Sequence, residues 1–235
     1  MINTDTSMSL NTNLDKKEEK AVENTTKRPD ETGGVYVRGH IKIFDPASGE
    51  VFIDKTNAIH YENFSVALAN SIANKSQNFI YEMNFGNGGT SVDTTGIITY
   101  LPTNTVGQNS SLYNPTYSKI VDDTSALNAD PANNKMTISH VPGTVYTDIL
   151  VSCLLDYGEP NGQQLFDNSQ DLNGEFVFDE LGLRGRSNDG TVGLLSTGLL
   201  LTHVVFHPVQ KALNRLIQID YTVRIQTLTN LSSNG

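Results

Sequence analysis

The chain has 235 residues, enough for one sizeable domain with a buried core. Its 26 acids against 16 bases give a net charge of −10, and no strong Lys/Arg run is present, which argues against direct DNA or RNA binding. No stretch reaches the roughly 18 apolar residues of a membrane helix, and the N-terminus has no apolar signal core, so neither membrane insertion nor a secretory signal is expected.

Residues 1–34, "MINTDTSMSLNTNLDKKEEKAVENTTKRPDETGG", are polar and nearly free of large apolar groups. Such a tract buries too little surface to offset its ordering entropy, so it is expected to be a flexible arm outside the folded domain. "LDKKEEKAVE" has the composition of a short helix formed against a partner. The domain is expected to cover 35–235.

"VYVRGHIKIFDPASGEVFIDKTN" predicts a β-hairpin. Val35, Val37, Ile41 and Ile43 share a face, and Asp45, Pro46, Ser48 and Gly49 supply the turn. "NAIHYENFSVALANSIANK" then predicts the one helix. Asn57 is its expected N-cap, and Tyr61, Phe64, Leu68 and Ile72 form its apolar stripe. "NFIYEMNFGNGGT" returns to alternation, with Phe79, Tyr81, Met83 and Phe85 on one side, and breaks at Gly86, Gly88 and Gly89. A long polar insertion follows over 90–135, with room for short strands such as "GIITYL". A loop of that length is usually functional or an interaction surface.

The second half is strand-rich. "KMTISHV" and "VYTDILVSCLLDYG" are joined by a Pro142-Gly143 turn. "EFVFDELGLRG", "LLSTGLLLTHVVFHPV" and "RLIQIDYTVRIQTL" complete the set. In the last, Ile217, Ile219, Tyr221, Val223 and Ile225 point one way, and Gln218, Asp220, Thr222, Arg224 and Gln226 the other. This is an antiparallel strand with one wet face. The tail "TNLSSNG" is expected to fray. The predicted fold is mainly β: an antiparallel β-sandwich-like domain with one helix and an N-terminal arm.

The chemical motifs are weak. "FGNGGT" lacks the spacing of a dinucleotide fingerprint and the lysine of a P-loop, so Gly86, Gly88 and Gly89 are expected to shape the loop through positive φ and close backbone approach. His203 and His207 are four apart on a strand, too widely separated for a metal pair without a third ligand. Asp179 and Glu180 are adjacent, point to opposite faces and make a poor glycosidase pair. Cys153, the only cysteine, lies among apolar residues and reads as a buried structural thiol suited to a reducing cytosol. No cofactor, metal or catalytic set is expected. Asp179 and Glu180 end a strand, and Arg184 and Arg186 follow in its glycine turn. With Arg215 and Arg224 they are the candidates for charged contacts within or between subunits. Gly182 shapes the same strand end.

"NAIHYENFSVALANSIANKSQNFIYEMNFGNGGT" and "FVFDELGLRG…GLLLTHVVFHPVQKALNRLIQIDYTVRI" resemble segments of structural proteins from tailed bacteriophage virions. The likeness covers 57–90 and 174–228. It implies a non-enzymatic subunit of the neck, collar, tail or baseplate, often a ring, assembled in the host cytoplasm with other virion proteins. Two alternatives stand beside it. One is a tail or surface recognition module that binds a glycan or host receptor through Tyr100, Tyr113 and Tyr117. The other is a hydrolase, which needs converging titratable groups.

Overall fold

The computed structural model describes residues 33–160, 175–187 and 197–229. The arm, its "LDKKEEKAVE" segment and the C-terminal tail lie outside these residues, except that Gly33 and Gly34 open the first strand. In chain order the elements are β1 (Gly33–Phe44), β2 (Val51–Ile59), α1 (Tyr61–Ile72), β3 (Ile80–Gly86), β4 (Thr90–Val92), β5 (Ile98–Tyr100), β6 (Pro115–Ile120), β7 (Lys135–His140), β8 (Tyr146–Leu155), β9 (Glu175–Gly185), β10 (Thr202–Ala212) and β11 (Ile217–Thr229).

The mainly β, antiparallel architecture with one helix is what the periodicity predicts. Its sheet arrangement differs from two facing sheets. One nine-stranded antiparallel sheet, ordered β6-β3-β9-β10-β2-β1-β11-β8-β7, curls into a half-barrel, and β4-β5 form a separate ribbon. Curling lets a single sheet bury its own inner face. The alternation of β11 places Ile217, Ile219, Tyr221 and Val223 there, with no exposure. Their partners on β1 include Ile41 and Ile43, and those on β8 include Val151, Cys153 and Leu155. Phe85, Phe176, Phe178 and Phe206 fill the other flank with edge-to-face and stacked rings.

The β1–β2 hairpin turns at Asp45, whose Oδ1 accepts from the Ala47 N–H at 2.8 Å, with Gly49 at φ +78°. β2 then leaves β1. It pairs with β1 only through Asn57, and its last residues, Ala58 and Ile59, pair with His203 and Thr202 of β10.

The helix starts later than expected. Asn57 remains in β2, where its amide bonds Tyr221 Oη, and His60 is the N-cap, accepting the Asn63 N–H on Nδ1 at 3.2 Å. Only the middle of the expected stripe is used. Phe64 and Ala67 are buried, whereas Tyr61 is 61% and Ile72 80% exposed. Beside the helix an apolar cavity of about 320 Å³ is lined by Leu68, Phe79, Met136, Ile138, Ile149 and Ile225.

β3 is buried along its whole length rather than on one face. Its inner face meets the aromatic core. Its outer face, with that of β9 and β10, is covered by residues 101–114, part of the long insertion. This part of the insertion is therefore a second layer, while β6 joins the sheet itself, and the polar groups under 101–114 form the cluster described next.

Candidate functional site

Glycine permits the close approach on which the cluster depends. A Cβ on Gly86 would lie 2.5 Å from Glu180 Oε1 and 2.7 Å from the Asn114 carbonyl. On Gly88 it would lie 2.7 Å from the Asn114 nitrogen, and on Gly89 2.9 Å from Val205 Cγ1. On Gly182 it would meet the Thr202 carbonyl at 2.6 Å. None of these four has a positive φ; their role is close approach alone.

Glu180 and His203 meet across β9 and β10, with no exposure of either side chain and 3.0 Å between Oε2 and Nε2. His203 Nδ1 accepts the Asn104 backbone N–H at 2.7 Å. Nε2 is then the nitrogen that donates its proton to Glu180. Glu180 Oε2 also accepts from the Tyr113 N–H at 2.9 Å, and Oε1 accepts from the N–H groups of Asn114 at 2.8 Å and Gly88 at 3.2 Å. Burial pushes this carboxyl up, but the bonds from His203, Asn114 and Tyr113 outweigh it, and it sits below its ordinary value. Asp179 binds the next turn of the same loop. It accepts from the Gly89 and Thr90 N–H groups at 2.9 and 2.8 Å, and from the Thr90 hydroxyl. For Asp179 burial wins, and the carboxyl is raised above its ordinary value.

Arg184 is also inside, 4% exposed, donating to the Gly198 carbonyl at 2.7 Å and Ser111 Oγ at 2.6 Å, opposite Glu82 in the β3–β9 ladder. The arrangement fastens 86–90 and 104–114 onto the sheet. Chemically it is closed: both nitrogens of His203 and both oxygens of Glu180 are occupied by groups of the chain.

The six candidate contact charges therefore divide. Asp179, Glu180 and Arg184 face inward and are bonded within the chain: the strand does not end at Glu180 and turn at Gly182, as the sequence suggests, but runs on through Gly185 paired with β3, and the insertion covers it. Arg186 lies over the Phe79 and Tyr81 rings at 5.8 and 6.0 Å. Arg215 lies over the Phe52 ring at 4.3 Å and pairs with Glu50 at 2.8 Å and Asp45 at 3.5 Å. Arg224 makes a two-pronged pair with Asp148, 2.7 Å on each prong, and covers the Tyr146 ring at 4.0 Å.

The remaining candidates separate. His203 is buried, but His207 is exposed within the register shift of β10 between Val205 and Val209 and lies 3.3 Å from Tyr100 Oη. Among the described residues no group of three or more His, Cys, Asp or Glu side chains is placed to hold a metal ion. Cys153 is fully buried, which pushes its thiol up to about 12. The three tyrosines do not share a concavity. Tyr100 lines a cleft of about 490 Å³ with Phe52, Lys55 and His207; Tyr113 donates to the Pro102 carbonyl; Tyr117 packs on Phe85 and Phe176. Among the described residues no helix is long and apolar enough to cross a membrane.

The Glu180–His203–Asn104 chain of bonds has no local sequence signal. Its members are separated by 23 and 99 positions and meet only through strand pairing and loop coverage. No family model, no curated protein and no solved structure matches this chain.

Proposed function

We propose that this chain is a non-enzymatic structural subunit that works by assembling with further copies and other proteins, as a neck, collar or other head–tail component of a tailed-bacteriophage virion. The observation that carries the assembly reading is the contrast between a closed polar interior and an open sheet. The titratable groups best suited to chemistry, Glu180, His203 and Asp179, are used up in fastening loops. Among the described residues the sheet meanwhile ends in β6 and β7 and has a further unpaired stretch on β1. Unpaired strand edges are templates for another chain. The virion assignment rests on the resemblance of 57–90 and 174–228.

A second reading, recognition of a glycan or receptor, is favoured by the cleft that holds Tyr100, Phe52 and His207, because aromatic faces beside polar groups suit sugars. Mass and symmetry of the purified chain separate the two. A ring supports the subunit. A monomer that binds oligosaccharide, and loses binding on Tyr100→Ala, supports recognition.

A further inference from the structure

Among the described residues, open stretches of the sheet lie at β6, at β7, where β2 parts from β10 and on β1, and the first three are guarded. β6 carries Pro115 and Lys119. β7 begins with Lys135 and ends with His140. Where β2 parts from β10, Lys55 Nζ donates to the Val205 carbonyl at 2.8 Å, and Pro208 follows. Lysine, proline and charge are the usual defences of an edge.

The fourth stretch has neither lysine nor proline, and its one charge, Arg38, stands at its end. β1 pairs with β11 from Gly33 onward, but with β2 only from Gly39. Gly33–Arg38 therefore has one vacant side among the described residues, where alternate residues turn N–H and C=O away from β11. Its side chains are Val35, 53% exposed, Tyr36, 41% exposed, Val37 and Arg38. Beside it lies a cleft of about 600 Å³ whose lining includes Val37, Ala58, Ile59, Tyr61 and Val106. Arg38 also borders it, and no carboxylate is within ion-pair reach of Arg38 among the described residues.

The chain itself holds a segment of matching chemistry. "MSLNTNL", residues 8–14, alternates: Met8, Leu10, Thr12 and Leu14 fall on one face, and Ser9, Asn11 and Asn13 on the other. It has no charge and no proline, and Asp15 follows it directly. The 18 residues from 15 to 32 give it an extended reach of about 60 Å. We infer that the open edge of β1 accepts residues 8–14 of a second copy as an added parallel strand. The Met8–Leu10–Leu14 face covers Val37 and Ile59, and Asp15 pairs with Arg38. Backbone bonds to the edge supply binding, and alternate side chains supply selectivity. This inference rests on the assembly reading and names its contact.

The test uses the full chain and a variant, Leu10→Asp with Leu14→Asp, whose changes lie outside the described residues. Amide exchange at 33–38 and sedimentation are followed over a hundredfold range of concentration. The expected result is protection at 33–38 that grows with concentration in the wild type and falls at least tenfold in the variant, together with loss of the larger species. A synthetic peptide of residues 6–16, added in excess, has the same dissociating effect while keeping 33–38 protected. Arg38→Glu weakens association, and Asp15→Lys in the same chain restores part of it. Assembly that is indifferent to the variant and the peptide overturns the inference and leaves the assembly reading standing. Protection independent of concentration means pairing within one chain and also overturns it. A wild type that stays monomeric throughout overturns both.

Discussion

Glu180 accepts four hydrogen bonds with no exposure to water, so its charge belongs to the fold. Glu180→Gln keeps the shape but turns an amide N–H toward groups that already donate. The expected cost is about 3 kcal/mol, because a buried donor is left facing a donor. Urea unfolding measures the loss, and exchange at Tyr113 and Asn114 should quicken with it. An unchanged midpoint would mean that the 104–114 layer is held by other contacts. Lys211 offers a test by pH. It is wholly buried, and burial lowers its amine to about 8, with Glu159 and Asp156 opposing. Between about pH 8 and the ordinary lysine value, the folded chain has lost this proton while the unfolded chain keeps it, so stability rises with pH. Relative to Lys211→Met, wild type should gain about 2 kcal/mol from pH 7 to 10, read from paired urea midpoints. A constant difference would contradict the depressed amine. At this scale the sequence singles out the acids and glycines but ends their strand too early, since β9 runs on to Gly185. Strict alternation sends Asp179 and Glu180 to opposite faces. The β9–β10 ladder, however, shifts register between Val205 and Val209, and both carboxylates reach neighbouring residues of one loop.

Elements were legible where one face meets water and illegible where both faces are covered. The alternation of β11 survives intact in the structure, since its outer face, Gln218, Asp220, Thr222, Arg224 and Gln226, stays polar. β3 reads as one-sided because its outer Glu82 and Asn84 are polar, yet both are buried under the insertion, a long-range contact that no window of sequence contains. The helix shows the same limit. Its stripe runs Tyr61–Phe64–Leu68–Ile72, but the curled sheet meets only the middle turn. Phe64→Ala should therefore cost about 3 kcal/mol, whereas Ile72→Ala should change stability by less than about 0.5 kcal/mol. Thermal or urea unfolding of the two variants decides it, and comparable losses would show that the whole stripe is packed. The helix start moved because His60 caps it while its Nε2 bonds the Gly107 carbonyl at 2.9 Å and Ser110 Oγ at 3.0 Å, tying the cap to the insertion.

At the scale of the molecule, one curled sheet buries its inner face and leaves its edges to be protected one by one. Proline and lysine guard three of the open stretches, and the fourth, on β1, adjoins an open cleft. Such a distribution suits a protein whose work is to join others. The sequence suggests assembly from composition and resemblance, but the particular edge becomes visible only when β2 is seen to leave β1 at Asn57. The most direct test of assembly is native mass spectrometry of the full chain from low to high micromolar concentration. The account predicts a species of several copies that grows with concentration and is converted to monomer by Leu10→Asp with Leu14→Asp. A single mass of one 25.7 kDa chain at every concentration would contradict it.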